Sequence, residues 1–260
     1  MSAKKLFKIV RIFILTLILI GVALGSWLTG KRSTNWEQPL WIAIYPINAD
    51  NSPVTQQYIN QLTPQDFKSI EEFISEEARE FKLPQQQLFS IKLAPEVKSL
   101  PPEPPESGAV WEIMLWSIQL RYWAHQANTF QGPKPNIRVF VKYFDVEDRR
   151  PLAHSLGLPQ GMLGIVNAFA TKKMSPANAV VITHEILHTL GATDKYDLNT
   201  GLPLYPDGYV ETNKKPLHPQ ELAEIMAGKI PVSKTEAEIP RGLHQVIIGQ
   251  QTAREIKWID

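Results

Sequence analysis

The residues best suited to chemistry are two histidines and a glutamate with the spacing H-E-x-x-H, at His184, Glu185 and His188. In a helix the two histidines lie about 40° apart around the axis, so both imidazoles can reach one metal ion. Glu185 points about a quarter-turn away from the first histidine, which suits a general base acting on a water molecule at the metal. The segment therefore predicts a zinc site carried by a helix, with Glu185 as the catalytic residue.

The residues that follow the motif predict how a third ligand reaches the metal. Gly191 lies three residues after His188, and Asp194 lies six residues after it. Glycine ends helices in a left-handed conformation without a Cβ penalty, and such a turn brings the following residues back toward the histidines. We therefore expect Asp194 to be the third ligand. Asp197, nine residues after His188, is the alternative at this point.

The segment before the motif supports the helix. Ser175 is a suitable N-cap, and Pro176 suits the first helical position. The two histidines share one arc of the helix, whereas a broad apolar arc faces elsewhere and consists of Ala179, Ile182, Ile186, Leu187 and Leu190. The helix thus has a core face and a separate chemical face.

The complete pattern, H-E-x-x-H-x-x-G-x-x-D, resembles the signature of the metzincin zinc proteases, H-E-x-x-H-x-x-G-x-x-H followed by a methionine turn. A snapalysin-like minority of that clan has aspartate at the last position, as this chain has at Asp194. Met226, 38 residues after His188, stands before two small residues and matches the methionine turn. The resemblance covers residues 175 to 226. Another zincin branch takes its third ligand from a glutamate on a second helix, for which Glu221 and Glu224 are the candidates.

The resemblance implies both a fold and an activity. The fold would be α+β and zincin-like, with a mixed sheet, an active-site helix below a cleft and an irregular helical C-terminal part. The activity would be that of a zinc metalloendopeptidase on a peptide or protein substrate, with His184, His188 and Asp194 as ligands of Zn2+ and Glu185 as the base. The alternative from another class is a non-catalytic envelope binding or scaffold domain that keeps zinc for folding or for holding a peptide.

The N-terminus predicts export. Residues 12–28 form an uncharged apolar run long enough to cross a bilayer as a helix, and basic residues precede it. We expect a cytoplasmic basic segment at 1–11, a transmembrane signal-anchor at 12–28, a linker at 29–35, and a metallopeptidase-like domain at 36–260. The protein would then be a single-pass cell-membrane protein with its catalytic domain on the extracytoplasmic, periplasmic side. A cleaved signal peptide, which would release a secreted protein, is the alternative.

Composition narrows the classes of partner and of metal ligand that the sequence favours. Six of the 27 basic residues and no acidic residue lie within residues 1 to 32, so the remainder has 21 basic against 26 acidic residues. Such a mildly acidic remainder does not favour a nucleic-acid partner. Cysteine is absent, so any metal is held by nitrogen and oxygen ligands. Composition does not predict an oligomeric state.

Local patterning predicts alternating strands and helices. The predicted strands are Leu40–Ile47, Gln87–Leu93, Asn136–Phe144 and Met162–Phe169. The predicted helices are 63–83, 108–128, the active-site helix, 219–228 and 246–258. The aromatic residues of 108–128 indicate either burial on most sides or contact with a membrane interface.

Two further predictions concern the cleft. In the metzincins the strand at the place of Met162–Phe169 forms the upper rim of the cleft, where an exposed edge can bind an extended peptide. Gly164 would either let a substrate backbone approach or mark a bulge in a core strand. Tyr196 and Tyr209 are candidates for hydrogen bonding to a tetrahedral intermediate, with packing in a loop as the alternative for both.

Overall fold

The computed structural model describes residues 11–13, 16, 36–84, 87–105, 107–147, 155–159 and 161–260. Most of the predicted transmembrane segment, the N-terminal residues before it and the linker after it lie outside the described residues. Among the residues that are described, no helix is both long and apolar enough to cross a membrane.

A mixed five-stranded sheet forms the centre of the fold. Its strands are β1 (Leu40–Asn48), β2 (Phe89–Leu93), β3 (Ile137–Phe144), β4 (Leu156–Leu158) and β5 (Leu163–Phe169). Their order is β2-β1-β3-β5-β4, and all neighbours are parallel except β4, which runs antiparallel to β5 at the edge. The α+β class and the mixed sheet predicted from the sequence are confirmed.

The helices lie on both faces of this sheet. They are α1 (Pro53–Asn60), α2 (Lys68–Glu80), α3 (Val110–Gln126), α4 (Ser175–Thr189) and α5 (Gln250–Glu255). Side chains alternate along β1, so Ile42 and Ile44 face a core shared with α2 and α4, whereas Ala43 and Tyr45 face a second core with α3. The sheet therefore separates α3 from α4.

The part that follows α4 is mostly irregular. It contains two-residue strands, β6 (Ala223–Glu224), β7 (Ile230–Pro231), β8 (Ala237–Glu238) and β9 (Val246–Ile247), and β6 pairs with β9. The predicted helix at 219–228 is wrong, because the Glu224 carboxylate accepts the backbone N–H groups of Met226 and Ala227 and folds a tight turn. The predicted helix at 246–258 shortens to α5, because its first two residues are used in β9.

The prediction of Met162–Phe169 as the rim of the cleft is wrong in one respect. This segment is β5, which pairs with β3 on one side and with β4 on the other. The edge belongs to β4, which the sequence analysis missed because three residues around Gly157 are too few to show an alternation.

The helix predicted at 108–128 is confirmed as α3, but it is not buried on most sides. Only Leu120 and Ala124 of α3 are buried, and most of its other large apolar side chains are at least partly exposed. The proline-rich segment before it packs against the helix, where the Trp116 indole N–H donates to the Pro102 carbonyl at 2.9 Å.

Candidate metal centre

The candidate site begins on α4, which presents His184 and His188 at its C-terminal end. Their side chains are 13% and 17% exposed, and the rings meet edge to face with centroids 4.6 Å apart. Ser175 is the first helical residue rather than the N-cap, and its hydroxyl forms a hydrogen bond with the Tyr58 hydroxyl at 3.0 Å. The helix thus places both imidazoles side by side at the boundary between core and solvent.

The turn after α4 brings Asp194 to the histidines. Gly191 has a φ of +105°, and the Ala192 N–H donates to the Leu187 carbonyl at 3.1 Å, which closes the helix. Asp194 Oδ1 then lies 3.2 Å from His184 Nε2 and 3.1 Å from His188 Nε2. Among the described residues these three side chains form the one group whose ligand atoms all lie within 4.8 Å of each other.

Backbone carbonyls orient both imidazoles. His184 Nδ1 donates to the Ile225 carbonyl at 2.9 Å, and His188 Nδ1 donates to the Ala192 carbonyl at 2.8 Å. With the proton on Nδ1, each Nε2 turns a lone pair toward the Asp194 carboxylate, which also carries only lone pairs. Three acceptor atoms meet at one point when neither Nε2 is protonated, and a cation, either a proton on an imidazole or a metal ion, satisfies them.

The distances fit a four-coordinate zinc ion. Zinc bonds to nitrogen and oxygen of about 2.0–2.1 Å place tetrahedral ligand atoms about 3.3 Å apart. The observed separations of 3.1 Å and 3.2 Å between Asp194 and the two imidazoles are close to this value. Two imidazoles and one carboxylate also form a donor set that zinc accepts, and they leave a fourth position open.

The electrostatics of the cluster agree with this fit. Burial by itself would raise the pKa of Asp194. Hydrogen bonds with His184 and His188 outweigh this effect and hold the pKa well below its usual range. Burial also opposes the charged form of His188, yet the hydrogen bonds to Asp194 and to the Ala192 carbonyl raise its pKa. Both shifts arise because the Asp194 carboxylate pairs with protons on the imidazoles, at the position that a metal ion would take.

The edge strand β4 lies directly against α4 at Glu185. A Cβ atom on Gly157 would come within 2.4 Å of the Glu185 carbonyl oxygen and 3.2 Å of its Oε2 atom, so only glycine fits there. A Cβ on Gly164 would make only ordinary contact with Val139, at 3.6 Å. Gly164 pairs in continuous register with Val139 and Gly157, so it marks no bulge, and the approach of a substrate to it stays a prediction.

A cleft of about 460 Å3 opens beside the cluster. Glu185, which is only 5% exposed, lines this cleft together with His184, and most of the other lining atoms are apolar. The side chains that line the cleft around Glu185 and His184 include Val181, Tyr196, Ile225 and Ile239. Glu185 thus lies beside His184 at the cleft, and its role as general base stays a prediction.

The two candidate tyrosines lie in different places. Tyr196 lines the cleft, and burial together with the adjacent Asp194 carboxylate, to which its hydroxyl donates, raises its pKa. Tyr209 instead contacts His218 Nε2 at 3.1 Å and lines a separate cavity of about 650 Å3. Only Tyr196 is therefore placed to contact a bound substrate.

A buried ion pair holds the segment that carries Asp194. Lys195 is 5% exposed, and its ammonium donates to both oxygens of Glu255, at 2.9 and 2.8 Å, and to the Thr193 carbonyl at 2.7 Å. Glu255 also accepts the Thr193 N–H at 2.8 Å. Sequence reasoning missed this pair because its members are 60 residues apart and neither belongs to a motif.

Glu224 holds the turn that contains Met226. Its buried carboxylate accepts the N–H groups of Met226 and Gly249, at 2.7 and 3.1 Å, and the Thr252 hydroxyl at 2.7 Å. Burial raises the pKa of Glu224, although these hydrogen bonds oppose the rise. The same turn supplies the Ile225 carbonyl that orients His184.

The other candidate ligands are used elsewhere. Glu224 is satisfied by this turn, and the exposed Glu221 lies 3.7 Å from the Lys214 ammonium. Asp197 caps a surface turn, where it accepts the Thr200 N–H at 2.8 Å. The geometry therefore brings Asp194 to the histidines and keeps these alternatives away.

Comparisons with known proteins place no constraint on this site. Neither a scan against models of protein families nor a search of curated proteins found a match to this chain.

Proposed function

We propose that this chain is a zinc-dependent metallopeptidase of metzincin type, which hydrolyses peptide bonds with Glu185 as general base. The observation that carries the proposal is the convergence of His184, His188 and Asp194, next to an apolar cleft that His184 and Glu185 line. A buried carboxylate next to a nitrogen and oxygen ligand set, with one coordination position open, suits hydrolysis better than structural metal binding.

The residues have distinct roles in this mechanism. His184, His188 and Asp194 would hold the ion, which when bound supplies Lewis acidity toward the scissile carbonyl and toward water. Glu185 orients the attacking water molecule, accepts its proton and returns that proton to the leaving amine. Tyr196 lines the same cleft as Glu185 and His184, so its hydroxyl is placed to turn toward the developing oxyanion and donate to it.

The surroundings support a peptide as substrate. Strand β4 is the edge of the sheet, and Gly157 brings it against the helix at Glu185. An extended peptide can add to such an edge by main-chain hydrogen bonds, which would carry its scissile bond past the base. The antiparallel edge strand, the site helix and the buried Met226 turn also support the zincin-like arrangement that the sequence resemblance implies.

Export and membrane anchoring belong to the same proposal. They are supported by the apolar run at residues 12–28 and by the basic residues before it. The domain would then act on polypeptides outside the cytoplasm.

The test compares the full-length protein with its Glu185→Gln variant. We expect the wild type to bind about one zinc ion per chain and to cleave members of a peptide library, whereas the variant keeps its zinc and loses about 1000-fold in kcat/KM. Metal analysis and mass spectrometry of the cleaved peptides measure the two quantities. Equal cleavage by both proteins would contradict the proposal. A wild type that binds zinc and peptides without cleaving them would instead support the binding or scaffold function.

A further inference from the structure

We propose that the outer face of α3 is a second membrane contact, which lays the domain on the lipid surface beside the N-terminal anchor predicted at residues 12–28. The side chains on this face, Trp111, Met114, Leu115, Ile118 and Tyr122, follow one another at helical spacing and are all exposed. Trp111 and Ile118 are 66% and 62% exposed, which is unusual for side chains of their size. A continuous apolar stripe of this kind marks an interaction surface.

The chemistry of the stripe favours lipid. The stripe contains no aspartate, glutamate, lysine or arginine, and the two such residues of α3, Glu112 and Arg121, are only partly exposed. The stripe does contain a tryptophan and a tyrosine, which prefer the interface between lipid and water. The opposite side of the helix is held to the sheet by Leu120 and Ala124, which are fully buried. The stripe is therefore a fixed face of the domain.

The chain length before the domain allows a bilayer at the predicted anchor to reach this face around the end of the sheet, since Trp36 itself packs against the core on the other face. Eight residue steps separate residue 28 from Trp36, and they span at most about 29 Å. The chain then enters β1, where the Trp41 N–H donates to Asn136 Oδ1 at 2.9 Å, and nearby Arg138 donates to the Ala124 carbonyl at 2.9 Å. The C-terminal end of α3 thus lies beside the start of β1. With 17 residues, α3 is about 25 Å long, so the tether is long enough to bring the bilayer to its C-terminal part.

This orientation has a consequence for the candidate site. Helix α3 and the site helix α4 pack on opposite faces of the sheet. When α3 lies on the bilayer, the sheet separates the cleft from the lipid. Substrates therefore reach the cleft from the aqueous side, and segments within the membrane do not.

The test uses the absence of cysteine from the natural chain. Met114→Cys and Ile118→Cys place single labelling sites on the stripe, and Leu198→Cys places a control label on an apolar residue that is 80% exposed after the site turn. Each full-length variant carries an NBD fluorophore and is reconstituted into vesicles of phosphatidylcholine and phosphatidylglycerol. Lipids with a doxyl group and aqueous iodide serve as the two quenchers, and circular dichroism checks that each variant is folded.

We expect doxyl lipid to lower the emission at positions 114 and 118 by about twofold or more, with weak quenching by iodide, and the reverse at position 198. Equal iodide quenching at all three positions would overturn the proposal. Protection of 114 and 118 from both quenchers would also overturn it, because a second copy or another protein would then cover the stripe. Failure of the full-length protein to float with the vesicles would overturn the proposal as well. None of these results depends on zinc or on catalysis, so they are independent of the proposed peptidase activity.

Discussion

The two halves of the candidate site are held in different ways. The helix half, which carries His184, Glu185 and His188, lies within one turn of α4, and its geometry follows from helical spacing. The loop half, which carries Asp194 and the Met226 turn, has almost no regular structure. Its shape depends on buried carboxylates that contact residues far away in the sequence.

This difference shows where the site is sensitive to change. In the helix half the critical residues are the proposed ligands and base themselves. Strand β4, which packs on them at Gly157, is critical as well. In the loop half, residues outside the proposed ligand set control the position of Asp194, because outer hydrogen bonds orient ligands. The following substitutions test the contrast, in order of decreasing expected effect.

His188→Ala removes a ligand from the helix half and should lower zinc affinity by about 4 kcal/mol, or about 1000-fold. His125→Ala is the control, because His125 is an exposed histidine on α3. Competition with a chromophoric chelator measures both affinities. Unchanged zinc affinity in the His188 variant would remove the helix half from the metal site.

Asp194→Asn keeps the shape of the third side chain and removes its charge, so zinc affinity should fall by about 100-fold. Asp197→Asn is the matched control, since that carboxylate only caps the turn at Asn199 and Thr200. The same competition experiment applies. A larger loss for Asp197→Asn than for Asp194→Asn would assign the third ligand to Asp197.

Gly157→Ala tests the contact between β4 and the helix half. The new Cβ would lie 2.4 Å from the Glu185 carbonyl oxygen, so β4 must move away, at a cost of about 2 kcal/mol in the free energy of unfolding. Gly164→Ala, one strand away, meets Val139 at an ordinary 3.6 Å and should cost less. Urea unfolding of both variants gives the comparison, and equal costs would contradict the packing described for β4.

Glu224→Gln changes the loop half without touching a ligand. The amide NH2 group would face the donors that now meet a carboxylate oxygen, so the turn and its Ile225 carbonyl shift. We expect zinc affinity to fall by about tenfold. Glu221→Gln, at an exposed position in the same segment, should leave it unchanged. A Glu224→Gln variant with the zinc affinity of the wild type would show that the loop half does not orient His184.

Glu77→Gln should have the smallest effect, and its sign depends on pH. Glu77 Oε2 accepts the Ile248 N–H at 2.6 Å, and burial raises the pKa of Glu77 from 4.5 to about 7. The folded state therefore binds this proton more tightly than the unfolded chain does, so stability from this group is lost as pH rises from about 4.5 through about 7.

The glutamine variant does not lose stability in this way, so its free energy of unfolding at pH 8 should exceed that of the wild type. The difference should be on the order of 1 kcal/mol, because the group is partly solvated. At pH 4.5 the difference should vanish. Urea unfolding of the metal-free proteins at both pH values measures the difference. Glu80→Gln, at an exposed position one turn later in α2, is the control.

Much of the fold could be predicted from the sequence because its signals are local. The strands β1, β2, β3 and β5 and the helices α2, α3 and α4 were predicted within a few residues of their observed bounds. Each of these elements carries its own period of apolar residues. The elements that were missed are short: α1, β4 and the two-residue strands β6 to β9. Strand β4 also shows no alternation around Gly157.

What the sequence alone determined about this protein is the helix half of the site. The spacing of His184, Glu185 and His188 places them on α4 whatever surrounds the helix, since that geometry is set within one helical turn. Only the tertiary structure decided among the acidic candidates for a third ligand. The choice depends on the Lys195–Glu255 pair and on the Glu224 carboxylate, which join residues 60 and 28 positions apart. Burial of those charged groups requires partners, and a linear sequence does not state which distant residues will supply them.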